Sequence, residues 1–243
     1  MIKYLIKKIF NSIGLDIHRY NPTSGSTFEV YQSIKMVRTN VILDIGANIG
    51  QFASQIRKKG YKGKIVSFEP LSSAREILLS NSLKDQNWFI HDRSAIGDNN
   101  GNIEINISKN SVSSSILPLL RSHTDAEETS KYIGSEKTPI VTLDSVKHLY
   151  LNKFSNCFIK IDTQGYEWQV IDGAINTINE SKGILCELSL VPLYEGQHLW
   201  RDIIERFESM GFILWSFQKA FSNKQDGRTL QVDAVFLKKN SID

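Results

Sequence analysis

From residue 41 onward the chain alternates short, nearly unbroken apolar runs with amphipathic stretches, and this alternation restricts the fold more than any other feature. VILDIG reads as a buried strand, residues 49–59 as a helix ending near Gly60, and KIVSFEP as a second strand. Residues 71–83 read as a second helix and NWFIHDRSAI as a third strand. The pattern resumes with CFIKID, a helix from about Gly165, GILCELSL, a helix over 199–210, FILWSF and LQVDAVFLKK. Strands that are apolar along their whole length and separated by helices predict a parallel sheet covered on both faces, a doubly wound α/β domain. The last connection, SNKQDGR, has no room for a crossover helix. The final strand should therefore pair antiparallel, giving a mostly parallel sheet with an antiparallel edge at its C-terminal end.

Two segments fall outside this rhythm. Residues 98–150 interrupt it as an insertion in which NIEINIS and PIVTLDSV look like strands extending the sheet, and the Ser-rich and charged stretch 109–137 looks like a long mobile loop or lid. Residues 1–27 precede the domain, which is expected to occupy 28–243. Within them, Ile2, Leu5, Ile6, Ile9, Phe10 and Ile13 recur on one helical face, Lys3, Lys7 and Lys8 lie elsewhere around it, and NPTSGST (21–27) forms a turn-rich linker. A basic amphipathic helix of this kind suits either peripheral contact with an anionic membrane surface or packing against the protein's own core or a partner subunit.

Charge and cysteine usage narrow the setting. Lys3, Lys7, Lys8 and Arg19 against Asp16 leave residues 1–20 with +3, which is the whole formal charge of the 243-residue chain. The domain itself is neutral, so it offers no basic face and no nucleic-acid partner is expected. Cys157 and Cys186 lie in apolar runs without metal-ligand or disulfide spacing, the pattern of core thiols in a reducing compartment. No apolar stretch approaches the roughly 20 residues that span a bilayer, and the N-terminus lacks the apolar centre and cleavage site of a signal peptide. The expected location is the cytoplasm, with peripheral attachment at the inner face of the membrane if the first helix binds lipid.

The sharpest motif is Asp44-Ile45-Gly46-Ala47-Asn48-Ile49-Gly50, where a predicted strand enters a helix. Gly46 lets the backbone turn tightly and approach a ligand, Gly50 allows close packing at the helix start, and Asp44 is placed to accept from an ammonium group directly or through water. Glu69 closes the next strand 23 residues after Gly46, where an acid can accept both ribose hydroxyls. The dinucleotide pattern G-x-G-x-x-G is absent, because Asn48 stands two residues after Gly46, and an acid before the turn suits a cationic amino-acid group better than a pyrophosphate. These features favour S-adenosyl-L-methionine, and Asp92 and Ser94 at the third strand's end are either adenine-region contacts or part of a solvated strand end.

VILDIGANIGQFA, KIVSFEP, SAIGD, PIVTLDSV, FIKIDTQGYEWQVIDGA, ILCEL and DAVFLKK, in this order over about residues 40–239, resemble the FkbM family of methyltransferases. The resemblance implies a Rossmann-like class I methyltransferase fold with a seven-stranded sheet, S-adenosyl-L-methionine as cofactor and, usually, O-methylation. It also implies an acceptor hydroxyl on a bacterial glycan or sugar precursor, or on a small natural product. A non-catalytic S-adenosylmethionine-binding protein is disfavoured by the intact set Asp44, Gly46, Glu69 and Asp162.

The second constellation, Lys160-Ile161-Asp162-Thr163-Gln164-Gly165-Tyr166-Glu167, ends the strand expected beside the first one. Asp162 there could take the proton of an attacking hydroxyl or simply cap the following helix. Glu187 is a second candidate base or a sugar-hydroxyl acceptor, and His198 in the loop VPLYEGQH is an alternative base. Lys160 is read as a salt-bridge partner or a contact to an acidic substrate, and His91, His123 and His148 as structural. Asp162, Glu187 and Glu167 could together hold a divalent cation, but a hydrogen-bonding carboxylate cluster for a polyol is the simpler reading, and no metal is expected.

Overall fold

The computed structural model describes residues 2–14 and 26–242. The predicted linker 21–27 lies outside the described residues as far as residue 25. In chain order the elements are α1 (Ile2–Ser12), α2 (Ser26–Met36), β1 (Val41–Ile45), α3 (Gln51–Lys58), β2 (Lys64–Phe68), α4 (Ser72–Ser82), β3 (Trp88–Ile90), β4 (Ala95–Ile96) and β5 (Gly101–Ser108). They continue with α5 (Arg121–Ala126), β6 (Tyr132–Val141), α6 (Leu143–Val146), β7 (Cys157–Ile161), α7 (Glu167–Asp172) and α8 (Ile175–Glu180). The chain closes with β8 (Gly183–Ser189), α9 (Trp200–Ser209), β9 (Phe212–Ser222) and β10 (Thr229–Lys238).

Seven strands form one sheet in the order β3-β2-β1-β7-β8-β10-β9. β1, β7 and β8 are buried at every position, as suits central strands of mostly apolar sequence, and this burial includes Asp44, Lys160 and Glu187. One face packs Leu43, Ile45, Ile159, Ile161, Val170, Ile203 and Phe207 together, and the other packs Val30, Ile34, Ile42, Ile56, Ile65 and Phe158. α9 shows the rule at small scale, with Ile203 and Phe207 four residues apart and both buried. α2, not anticipated from the sequence, seals the second face through Val30 and Ile34, with Val37 just beyond its end. Cys157 and Cys186 are free, buried thiols.

The structure differs from the sequence expectations in five places. β10 is antiparallel to both neighbours but inserts between β8 and β9, so β9, not the final strand, forms the edge. The third strand breaks after Ile90. Only β3 joins the main sheet, while β4 turns away at His91-Asp92-Arg93, where Arg93 pairs with Glu136. β4, β6 and β5 make a separate three-stranded sheet rather than an extension of the first. The stretch 109–137 is not one long loop. β6 begins at Tyr132 because its partner β5 runs antiparallel to it from Gly101↔Ile140 to Ser108↔Tyr132, and α5 lies between. Finally, the helix expected from Gly165 is two helices, α7 and α8, interrupted at Gly173. A Cβ there would lie 1.8 Å from the Gly97 carbonyl oxygen, so the close approach of the two backbones excludes any side chain.

Candidate active site

In an open parallel sheet, ligands bind beyond the carboxyl ends of the strands where the chain order reverses. Here that point falls at β1, between β2 and β7, and a cavity of about 500 Å³ opens there. One end is lined by Gly46, Asn48, Glu69, Leu71, Ser94 and Ile96, the other by Asp162, Gln164, Glu187, Gln231, Asp233 and His123. Asn110–Ser114 and Glu127, from the insertion, also line it.

At the first end the glycine turn is held by backbone. Gly46 sits at φ +74°, and the N–H groups of Gly46 and Ala47 both donate to the Phe68 carbonyl at 3.1 and 3.0 Å. A Cβ on Gly46 would fall 1.8 Å from the Asp162 carbonyl oxygen. The glycine therefore joins the ends of β1 and β7 as closely as backbones can meet, besides turning the chain. Gly50, at φ +88°, does not line the cavity. A Cβ on it would strike the Trp88 ring at 2.6 Å, so its role is packing. Asn48 also adopts positive φ, and its N–H donates to Glu69 Oε2 at 2.7 Å while the Leu71 N–H donates to Oε1 at 2.8 Å. Each Glu69 oxygen keeps a lone pair beyond these bonds. Burial pushes the Glu69 carboxyl up to about 7, against the pull of the two N–H groups and Lys160.

Two expected contacts at this end lie elsewhere. Asp44 is fully buried behind the turn and does not line the cavity. The strand register places it between Ser67 and Lys160. It accepts from Ser67 Oγ at 3.0 Å and faces Lys160 Nζ at 3.4 Å. Burial raises its pKa, partly opposed by Lys160 and Ser67. It cannot touch a ligand's ammonium directly. Asp92 likewise misses the cavity because the chain breaks out of the sheet at that point, whereas Ser94 lines it.

Lys160 ties the two ends together. Its Nζ donates to the Gly46 carbonyl at 2.7 Å and lies 3.3 Å from Asp162 Oδ2 as well as near Asp44. Desolvation opposes its charge, but Asp162 and Asp44 outweigh that and raise its pKa above the ordinary lysine value. It serves as the internal counterion of Asp44 and Asp162.

At the second end, Gln164 organises the carboxylates from a left-handed backbone position (φ +55°). Its Nε2 donates to Asp162 Oδ1 at 2.9 Å and to Glu187 Oε2 at 2.7 Å. The Tyr194 hydroxyl is 2.9 Å from Gln164 Oε1. Gln231 Nε2 donates to the same Glu187 oxygen at 2.7 Å. Asp233 lies opposite Glu187 across the β8–β10 pair. Burial, then Asp162, Asp233 and Glu167, raise Glu187 well above the carboxylate range, and burial with Asp162 pushes Asp233 up to about 6. Asp162 keeps about a third of its side chain exposed.

The remaining candidates separate from this group. Glu167 turns back on its own loop, where Oε1 accepts from the Thr163 and Gly165 N–H groups, so it does not complete a metal set with Asp162 and Glu187. Among the described residues no group of three or more His, Cys, Asp or Glu side chains is placed to hold a metal ion. His198 does not line the cavity. Gln197 folds the preceding loop by accepting from the Leu193 and Tyr194 N–H groups, which turns Tyr194 inward and His198 outward. The His198 ring stacks on Trp168 at 3.9 Å and its Nδ1 is 3.4 Å from Asp202. Conversely His123, read as structural, lines the cavity while 98% buried, its ring edge-on to Tyr194 and its Nδ1 without a partner. Burial lowers it to about 4, so the imidazole is neutral. Only chain folding brings His123, Gln231 and Asp233 here; no local spacing marks them.

The family model described as the methyltransferase FkbM domain matches residues 44–214. Methyltransferase FkbM from Methylobacillus flagellatus KT superimposes with a TM-score of 0.50 at 13% identity, over 81% of this chain and 43% of that one. The chain thus spans less than half the length of that protein. TehB from Haemophilus influenzae gives a TM-score of 0.48 at 9% identity over 87% of this chain and 62% of its own. Aeropyrum pernix fibrillarin, with natively bound S-adenosyl-L-methionine, gives 0.47 at 12% over 83% and 68%. No curated protein matches significantly.

Proposed function

Because the chain belongs to the methyltransferase FkbM domain family, we propose that it is an S-adenosyl-L-methionine-dependent O-methyltransferase acting on a hydroxyl of a neutral saccharide, a bacterial glycan or its sugar precursor. The fit of the cofactor rests on Glu69, whose two oxygens each retain an acceptor site at the cavity wall after binding the Asn48 and Leu71 N–H groups, as vicinal ribose hydroxyls need. When bound, S-adenosyl-L-methionine supplies a methyl group on a sulfonium leaving group.

The observation that carries the reading is Asp162. It follows β7 directly, at the junction of the two halves of the cavity, partly exposed, its two oxygens fixed by Gln164 and Lys160. From there it orients an acceptor hydroxyl and holds its proton, so that the neutral product ether and the neutral thioether form of the cofactor would both be free to leave. Such base assistance contributes roughly 10²–10⁴-fold, and the rest is in-line positioning.

The saccharide part is supported by the lining of the acceptor end. Asp162, Glu187, Asp233, Gln164 and Gln231 supply acceptors and donors for several hydroxyls, and Lys160, occupied by its own carboxylates, is the one lysine or arginine among the lining residues. An anionic acceptor would find no further lysine or arginine in the lining to pair with. Calorimetry with S-adenosyl-L-methionine and NAD in parallel tests the first half, and only the former should bind. Release of S-adenosylhomocysteine with neutral but not uronic sugars tests the second. NAD binding, or faster turnover with uronic acids, would overturn the respective half.

A further inference from the structure

α1 presents an apolar face that the domain does not cover. At about 100° per residue, Leu5, Ile6, Ile9 and Phe10 fall within an arc of about 140°. Leu5, Ile6 and Ile9 are 60, 44 and 56% exposed, and Ile13 just beyond the helix is 67% exposed. The expectation that this stripe packs against the protein's own core is therefore not met.

The rest of the helix indicates what covers the stripe. IKYLIKKIFNS contains no acid, and Lys3 and Lys7 fall on one border of the apolar arc with Lys8 on the other. Residues 1–20 carry the chain's entire formal charge of +3. An oligomer interface would bring like lysines together, whereas an anionic surface matches them. With 11 residues, α1 is about half the length needed to cross a bilayer, and no helix among the described residues is long and apolar enough to do so. We propose that α1 lies in the plane of an anionic phospholipid surface, its apolar stripe among the acyl chains and its lysines at the headgroups. The remaining, neutral domain contributes no competing attraction, so the helix alone sets which end of the protein meets the membrane.

The test is co-sedimentation of the full chain with phosphatidylcholine vesicles, with and without phosphatidylglycerol. The chain should pellet with the anionic vesicles, less so as salt rises, and remain in solution with phosphatidylcholine alone. Ile6→Glu with Ile9→Glu should abolish pelleting, and Lys7→Glu with Lys8→Glu should weaken it at least about tenfold. Both should leave S-adenosyl-L-methionine binding unchanged, which checks that the domain is folded. No pelleting with anionic vesicles, equal pelleting with both kinds, or undiminished binding of the Ile6/Ile9 variant would overturn the proposal. So would a wild-type dimer that does not pellet and that the same substitutions dissociate, since the stripe would then be a subunit contact.

Discussion

The two ends of the cavity are made of different materials. The cofactor end is backbone: Gly46, Ala47, Asn48 and Leu71 fix its shape through N–H groups, and Glu69 is the one ionisable side chain they position. The acceptor end is side chain: Asp162, Glu187 and Asp233 come from three strands and are held by the amides of Gln164 and Gln231. A backbone site binds one shape and tolerates little change. A side-chain site can be re-lined without moving the chain, which suits a fold that keeps its cofactor and changes its acceptor. Lys160 is the joint between them, because it donates to the Gly46 carbonyl and pairs with Asp162.

This contrast breaks most sharply at Gly46. Gly46→Val places a β-branched residue at φ +74° with its Cβ 1.8 Å from the Asp162 carbonyl oxygen. S-adenosyl-L-methionine binding should be lost by calorimetry and stability should fall by about 3 kcal/mol or more in urea unfolding. A variant that binds normally would show that the cofactor end is not built on backbone contact. Asp162→Asn comes next: turnover should drop about 10²–10⁴-fold with cofactor affinity unchanged. Were turnover preserved, Glu187 would become the preferred base. Gln231→Leu removes one of the two amide donors to buried Glu187 and should cost about 1–3 kcal/mol of stability, again sparing cofactor affinity. A parallel loss of cofactor binding would mean that the two ends are not independent.

The same division decides what could be read from the sequence. The strand–helix frame, the glycine turn and the acid 23 residues after Gly46 are local patterns, and each is where its spacing placed it. The surroundings of Asp44 are set by register and not by local spacing. Parallel pairing puts Ser67 on one side of it and Lys160 on the other, and a carboxylate so placed is consumed inside the protein. His198 was nominated from its nearness in sequence to β8, but Gln197 turns the loop so that it faces Trp168. His123, Gln231 and Asp233 reach the cavity from the insertion and from the last strand, at separations no periodicity records. The part of β6 ahead of the expected strand PIVTLDSV carries no strand signal, for a simpler reason. Tyr132-Ile133-Gly134-Ser135-Glu136-Lys137 has no apolar alternation, since that part of the strand is mostly exposed and is held by its ladder with β5.

Glu69 offers the finest discrimination, because it is the one place where the cofactor end depends on a titrating side chain. Its carboxyl is pushed up to about 7 by burial, above the 4.5 of an exposed glutamate. The folded, ligand-free protein therefore holds this proton more tightly than the unfolded chain does. The stability it contributes is fully present below about pH 4.5 and is lost as pH rises through about 7. Cofactor affinity runs the opposite way, since ribose hydroxyls donate to the ionised form. The ionised fraction grows about tenfold between pH 6 and 8, so affinity for S-adenosylhomocysteine should tighten by about the same factor. Glu69→Gln cannot ionise and should flatten that dependence, leaving only the ligand's own titration, while weakening binding at pH 8 more than at pH 6. An unchanged pH slope in the variant would remove Glu69 from the ribose site and leave the cofactor end a purely backbone construction.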